Sequence, residues 1–196
     1  MFNRRLGVSV AGAAGLIAAV AVAAPSQADT CAQSTTCPTS VSFTVTAEGG
    51  LSITVPGPTP AVNLGSGNSG GLISGQLGAI TVNDQRAALT ATWVASVSAA
   101  AGGFTTGGGT APETISNADV SYWSGPATAT STTGGTFVPG QVNAAAAETL
   151  AAQRTAFSKT SGSGDNFATW NPTLVIDVPD AAVAGTYTGT VNHSVA

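Results

Sequence analysis

The chain has 196 residues, a formal net charge of −4 and only 7% charged residues. Beyond Arg5 its basic residues are Arg86, Arg154 and Lys159. This excludes the clustered Lys and Arg with which proteins bind nucleic acids or anionic lipids. Sparse charge also disfavours exposed helices, whereas abundant Thr and Ser favour β-structure.

Residues 1–28 have the pattern of an export signal. Arg4 and Arg5 precede an apolar run of small residues, and Ser26 and Ala28 fit a cleavage site that ends at Ala28. The run is weakly hydrophobic, so we expect removal of the segment rather than a retained membrane anchor. The pattern leaves the Sec and twin-arginine routes open.

Residues 29–40 contain the two cysteines, Cys31 and Cys37. In an exported chain an even cysteine count predicts a disulfide, here one that closes a short loop. None of residues 32–36 could complete a metal site with them, so we predict a structural staple. We expect no metal and no cofactor.

Residues 41–196 predict one all-β domain. Val41, Phe43 and Val45 alternate with hydroxyl residues, which is typical of a strand with one buried face. Glu48-Gly49-Gly50 predicts a turn into a second strand at 51–55. Further strands are predicted at 61–64, 77–82, 89–99, 118–123, 154–159, 170–178 and 187–195, with one or two weak strands at 128–138 and a flexible glycine-rich loop at 65–71.

The central strand is predicted at residues 89–99, where alternation places Trp93 on the buried face. Asp84 and Arg86 stand at its entry. We interpret them as an ion pair that ties the entry to a neighbouring element, with ligand orientation as the alternative. In total about ten short strands predict an antiparallel β-sandwich of Greek-key or jelly-roll type.

Residues 141–160 have a helical composition but neither a cap nor an apolar stripe, so we predict a loop followed by the strand at 154–159. Near the end, Trp170 and His193 fall on the apolar side of their strands. We therefore expect Trp170 in the core and His193 as a packed structural residue.

Several segments of the chain occur in a distinctive order: Asp84-x-Arg86 before Trp93, then Phe104, residues 115–120 and residues 185–191. In these segments the chain resembles the WxL-domain family of Gram-positive cell-surface proteins. Ala95 stands at the Leu of the first Trp-x-Leu motif. His193-Ser194-Val195 stands where the second is expected, after the Gly-x-Tyr that contains Tyr187. The resemblance implies a secreted β-sandwich that binds peptidoglycan without a covalent link and assembles with other surface proteins.

Catalysis is not expected. No Gly-x-Ser-x-Gly elbow accompanies His193, and the cysteines are assigned to the staple. A carboxylate pair could be drawn from Glu48, Asp165, Asp177 and Asp180. Asp177 and Asp180 could also hold calcium, but solvent-facing turn residues are the simpler interpretation of these two.

Ligand binding is better assigned to aromatic side chains. Trp123, next to Tyr122 and between Ser121 and Ser124, falls on the side of its strand away from the core, where a ring can stack on a sugar. It could equally cover a loop or anchor a protein contact. We expect a cell-wall protein at the extracellular surface that binds peptidoglycan or an associated polymer. The alternative is a structural or adhesive subunit that pairs with other surface proteins through a sheet edge.

Overall fold

The structure is a computed structural model that describes residues 30–132 and 134–196. The predicted export signal lies outside these residues. None of the described residues belongs to a helix long and apolar enough to cross a membrane. The chain divides into two compact units between Phe43 and Thr44. In the first, Cys31 and Cys37 form a disulfide, with their Cα atoms 5.7 Å apart.

The second unit is all-β. The described residues form fourteen strands, some of only two or three residues, where the sequence predicts about ten. The strands are β1 (Leu51–Thr54), β2 (Leu72–Gln76), β3 (Ile80–Asp84), β4 (Trp93–Ala99), β5 (Phe104–Thr105), β6 (Thr114–Ile115), β7 (Val120–Trp123), β8 (Ala127–Thr130), β9 (Phe137–Pro139), β10 (Glu148–Thr149), β11 (Arg154–Lys159), β12 (Asn166–Trp170), β13 (Thr173–Asp177) and β14 (Val191–Val195). Short 3-10 turns cover Ala111–Glu113, Asn117–Asp119 and Ala144–Ala146.

The strands pair antiparallel in three four-stranded sheets and one hairpin. Sheet A has the order β1-β3-β12-β8, sheet B the order β10-β7-β13-β2, and sheet C the order β14-β4-β11-β9; β5 pairs with β6. This arrangement confirms the predicted all-β sandwich.

Sheets A and B are joined by three bent strand pairs: β2 leads into β3, β7 into β8, and β12 into β13. Asn171 holds one bend, because its Nδ2 donates to Gln76 Oε1 at 3.0 Å and its Oδ1 accepts from the Gly78 amide at 3.1 Å. Gly78 has a φ of +98°, a conformation that favours glycine. Through these bends, sheets A and B form one continuous layer, and this layer faces sheet C.

The core lies between this layer and sheet C. Phe157 of sheet C stacks on Trp170 of sheet A with ring centroids 4.9 Å apart. Trp170 Nε1 in turn donates to the Tyr122 hydroxyl of sheet B at 3.2 Å. Small and branched residues complete the core: Ile80, Val82, Ala95, Val97, Val120, Ala156, Ala168, Leu174 and Ile176. The three sheets therefore share one apolar interior, whose burial drives folding.

The predicted strand at 41–47 is wrong: none of these residues lies in a strand, and Val41, Phe43 and Val45 are 83%, 85% and 78% exposed. The predicted turn after it is wrong for a physical reason. The Gly49 amide donates to the Gln85 carbonyl, and the Gln85 amide donates to the Gly50 carbonyl. These bonds lengthen the β1–β3 ladder instead of reversing the chain.

Two further differences concern strand boundaries. Residues 61–64 form no strand, whereas β2 follows the predicted loop and was not predicted. The central strand begins at Trp93 rather than at Leu89, which is 91% exposed. By contrast, β11 occupies 154–159, where the sequence predicts a strand despite its helical composition.

Candidate functional site

The outer face of sheet B carries the aromatic ring that the sequence assigns to ligand binding. In β7, Val120 and Tyr122 are fully buried, so the alternating Ser121 and Trp123 lie on the opposite side of the sheet. Trp123 is half-buried there. We call the outward residues of sheet B the hydroxyl face; they are Leu72, Ser74, Gln76, Ser121, Trp123, Thr149, Thr173, Val175 and Asp177.

Strand register sets the neighbours of Trp123 on the hydroxyl face. Trp123 stands opposite Thr173, which stands opposite Gln76. In the adjacent row, Ser121 lies between Thr149 and Val175. Residues directly opposite each other across a ladder have side chains in contact range. Thr173 itself is buried, whereas Gln76 is exposed and Ser121 half-buried. The accessible polar groups near the ring are thus the Gln76 amide and the Ser121 hydroxyl, which can donate or accept hydrogen bonds.

The Trp123 ring offers a ligand its face rather than its N–H group. Its Nε1 is buried, and in the described part of the chain it has no hydrogen-bond partner. The ring lies over Gly125, where an added Cβ would stand 3.3 Å from it. Gly125, with a φ of +69°, therefore lets the chain leave β7 beneath the indole.

One end of the hydroxyl face is acidic. Asp119, Asp177 and Asp180 border a cavity of about 280 Å³ next to Gly70. Within residues 30–132 and 134–196, no group of three or more His, Cys, Asp or Glu side chains is placed to hold a metal ion. Because the face carries hydroxyls and carboxylates, it suits a neutral or cationic hydroxylated ligand better than an anion.

Tyr122 is not part of this face. It is 0% exposed, its hydroxyl accepts from Trp170, and burial raises its pKa. Its ring has no free surface with which to stack on a ligand, so the predicted pairing of Trp123 with Tyr122 in a binding site is wrong.

His193 lies on the inward side of β14, with its ring 5.8 Å from that of Tyr122. Its Nε2 is buried and has no hydrogen-bond partner among the described residues. Burial lowers the pKa of His193 to about 4. The imidazole is therefore a neutral packing group at physiological pH.

Asp84 and Arg86 form an ion pair at the end of β3. The guanidinium donates from Nε to Asp84 Oδ1 at 2.8 Å and from Nη2 to Oδ2 at 2.9 Å, and Nη2 also donates to the Thr92 carbonyl. Asp84 is fully buried, and the hydrogen bonds from Arg86 hold its pKa below the usual range. Asn166 Nδ2 donates to Asp84 at 3.1 Å, and Asn166 Oδ1 accepts from Trp93 Nε1 at 2.9 Å.

The cluster of Asp84, Arg86, Trp93 and Asn166 joins β3, β4 and β12. Its polar groups form hydrogen bonds with one another and with the backbone, which gives the cluster a structural role. Trp93 and Trp170 are 2% and 0% exposed, so neither indole reaches a ligand. Tyr187 also has a local role: its hydroxyl lies 2.8 Å from the Val183 carbonyl and 3.1 Å from that of Pro112, across the connection that precedes β14.

Lys159 is a buried cation that the sequence does not single out. Its Nζ donates to the carbonyls of Ala91 at 3.0 Å and Ser161 at 2.7 Å, and lies 5.7 Å from the centroid of the Phe137 ring. Gly135 and Gly162 make room for the ammonium, since an added Cβ on either would stand within about 3 Å of Nζ. The charge is held by backbone carbonyls at the end of sheet C.

Sequence reasoning missed Ser74 and Gln76 of the hydroxyl face, because it assigned no element to residues 72–76, between the predicted loop at 65–71 and the predicted strand at 77–82. The available signal was the alternation of Ile73 and Leu77 about Gly75, which the glycine obscures. Comparison of the chain with protein-family models, curated proteins and solved structures finds no match.

Proposed function

We propose that this chain is an exported cell-surface protein that binds the peptidoglycan cell wall non-covalently through the hydroxyl face of sheet B. The observation that carries the proposal is Trp123, an outward-facing indole set among hydroxyl and amide side chains. Aromatic rings present a flat apolar surface to the C–H faces of sugars, and neighbouring polar groups can bond their hydroxyls.

Three further features support the assignment. The pattern of residues 1–28 is that of an export signal. The Cys31–Cys37 disulfide is typical of an oxidising compartment. The resemblance to WxL-domain proteins, which is part of the proposal, implies the same location and the same kind of ligand. The proposed role is binding rather than catalysis.

The test is co-sedimentation of the chain lacking residues 1–28 with purified sacculi. We expect the protein to pellet without any partner, and Trp123→Ala to weaken binding by about tenfold or more, the usual effect of truncating a central aromatic anchor. The matched control is Phe167→Ala, since Phe167 is another outward aromatic, 38% exposed, on β12 of sheet A.

Phe167→Ala should bind sacculi like the parent protein. Equal binding by the parent and Trp123→Ala would remove the hydroxyl face from the proposal. A parent protein that stays in the supernatant would reject wall binding itself, and turnover of wall glycans or peptides would instead favour an extracellular hydrolase.

The second candidate function is a structural subunit of a surface assembly. It is favoured by the exposed apolar residues Val41, Phe43 and Val45, which have the alternation of a strand but no sheet to join within the described chain. In the same assay, this function predicts a protein that stays soluble until another surface protein is added.

A further inference from the structure

Residues 41–47 have the alternation of a strand but belong to no sheet. In an extended conformation, Val41, Phe43 and Val45 would share one side and Ser42, Thr44 and Thr46 the other. Single exposed apolar residues are ordinary on protein surfaces. Here, however, three apolar side chains occur at every second position, and each is more than three-quarters exposed. Together they form an apolar strip in contact with water.

The free edge of β14 is a place where a strand can be added. β14 is the outermost strand of sheet C. Ala196 and Val94 exchange both backbone hydrogen bonds, at 2.9 and 3.1 Å. Because hydrogen-bonded pairs alternate along an antiparallel ladder, Ser194 and Asn192 also face β4 with their backbone groups. The amides and carbonyls of Val191, His193 and Val195 therefore point away from β4, and no described strand pairs with them.

The side chains at this edge are incompletely covered. Val191, His193 and Val195 point toward the core but are only half-buried. Leu51 and Ile53 of β1, the edge strand of sheet A that lies near β14, are half-buried as well. An added strand beside β14 would place its alternate side chains over this open flank of the sandwich.

Within the described chain, residues 41–47 do not occupy this edge, since none of them lies in a strand. Gly49 and Gly50, which follow them, are bonded to Gln85 at the start of the β1–β3 ladder. The edge of β14 is therefore open to a strand from another molecule.

We propose that residues 41–47 of one molecule add as a strand to the free edge of β14 in a second copy of this chain, with Val41, Phe43 and Val45 turned toward its half-covered core. Backbone hydrogen bonds give such strand addition its affinity, and alternate side chains give its specificity. Neither strand contains a charged residue, so two acidic copies meet here without local repulsion. The proposal rests on the second candidate function.

The first test is sedimentation velocity of the chain lacking residues 1–28 over a concentration series. We expect reversible self-association, which Phe43→Asp weakens by about tenfold or more because it places a charge in the apolar strip. Thr44→Asp is the matched control: it adds the same charge one residue away, on the opposite side of the segment, and should associate like the parent. A parent protein that stays monomeric at every concentration, or equal effects of the two variants, would overturn the proposal.

The second test locates the edge. A fluorescent peptide of residues 39–48 is titrated into the Phe43→Asp variant of the chain lacking residues 1–28, whose own segment no longer competes. We expect saturable binding, which a peptide with the same Phe43→Asp change does not show. Hydrogen exchange should then slow at the amides of Val191, His193 and Val195. Slowing at Leu51 and Ile53 instead would show that β1, not β14, accepts the strand.

Sacculus binding separates this proposal from wall attachment. Phe43→Asp leaves the hydroxyl face unchanged, so its binding to sacculi tests the first proposed function independently of self-association. Loss of self-association with sacculus binding retained supports strand addition. Self-association retained in Phe43→Asp counts against it whether or not the wall is bound.

Discussion

His193 is the residue whose burial has the clearest consequence for stability. Desolvation lowers its pKa to about 4, against about 6.5 for an exposed imidazole. Between these values the unfolded chain binds a proton that the folded chain does not, so stability falls as pH decreases through this window. The contribution is complete above about pH 6.5.

We predict that the free energy of unfolding decreases by about 3 kcal/mol between pH 6.5 and pH 4, from the size of this pKa difference. Urea denaturation at pH 7, 5.5 and 4 measures it. His193→Phe keeps an aromatic ring beside Tyr122 but removes the titration, so its stability should vary less with pH in this range. If the variant lost stability with the same slope, the ionisation would belong to other groups.

The side of a strand on which a residue lies was predictable from the sequence, but hydrogen-bond partners distant in the chain were not. Alternation alone places Trp93 and Trp170 inward, and both are buried. The adjacency of Asp84 and Arg86 likewise suggested their ion pair. Asn166, which links Asp84 to Trp93, lies 82 residues from Asp84. No local pattern shows that β12 runs beside β3, so this bond could not be inferred.

At the scale of elements, the bends between sheets A and B depend on backbone conformations that few residues adopt. Gly78 has a φ of +98°, and an added Cβ would stand 3.0 Å from the Pro56 ring. Gly57, also in a loop, has open space around it and no positive φ. The two glycines thus form a matched pair for testing the bend.

We predict that Gly78→Ala lowers the free energy of unfolding by about 1–3 kcal/mol, because alanine is strained at positive φ. Gly57→Ala should be close to neutral or slightly stabilising, since it restricts the unfolded chain without a native clash. Thermal denaturation followed by circular dichroism compares them. Equal melting temperatures would mean that the bend relaxes without cost.

The alternation of apolar and polar residues predicts which side of a strand is buried, but not which strands it pairs with. This explains the errors in the predicted strands. Residues 41–47 alternate as clearly as β4, yet they remain exposed because Gly49 and Gly50 continue the β1 ladder. β2 was missed because Gly75 interrupts its apolar side. That glycine lets Leu64 approach, since an added Cβ would meet the Leu64 Cα at 3.0 Å.

At the scale of the whole chain, the residues that stabilise the fold differ from those that determine its surface chemistry. The apolar interior belongs to residues 44–196 and is shared by three sheets. With so few charged side chains, the outward faces depend on Ser, Thr, Asn and Gln for contact with water. Both proposals therefore use forms of recognition that need no charged side chains: ring stacking supported by hydrogen bonds, and strand addition.

The disulfide belongs to the other unit, and its removal tests how independent the sandwich is. Cys31 and Cys37 are six positions apart, so the bond closes a small loop outside the shared core. A short loop restricts few unfolded conformations, and here only those of the first unit.

All three tryptophans lie in the second unit, so their fluorescence reports the unfolding of the sandwich alone. We predict that the double variant Cys31→Ser, Cys37→Ser melts within about 2 °C of the parent by this measure, which corresponds to at most about 1 kcal/mol for a domain of this size. A larger decrease would show that the first unit contributes to the stability of the second.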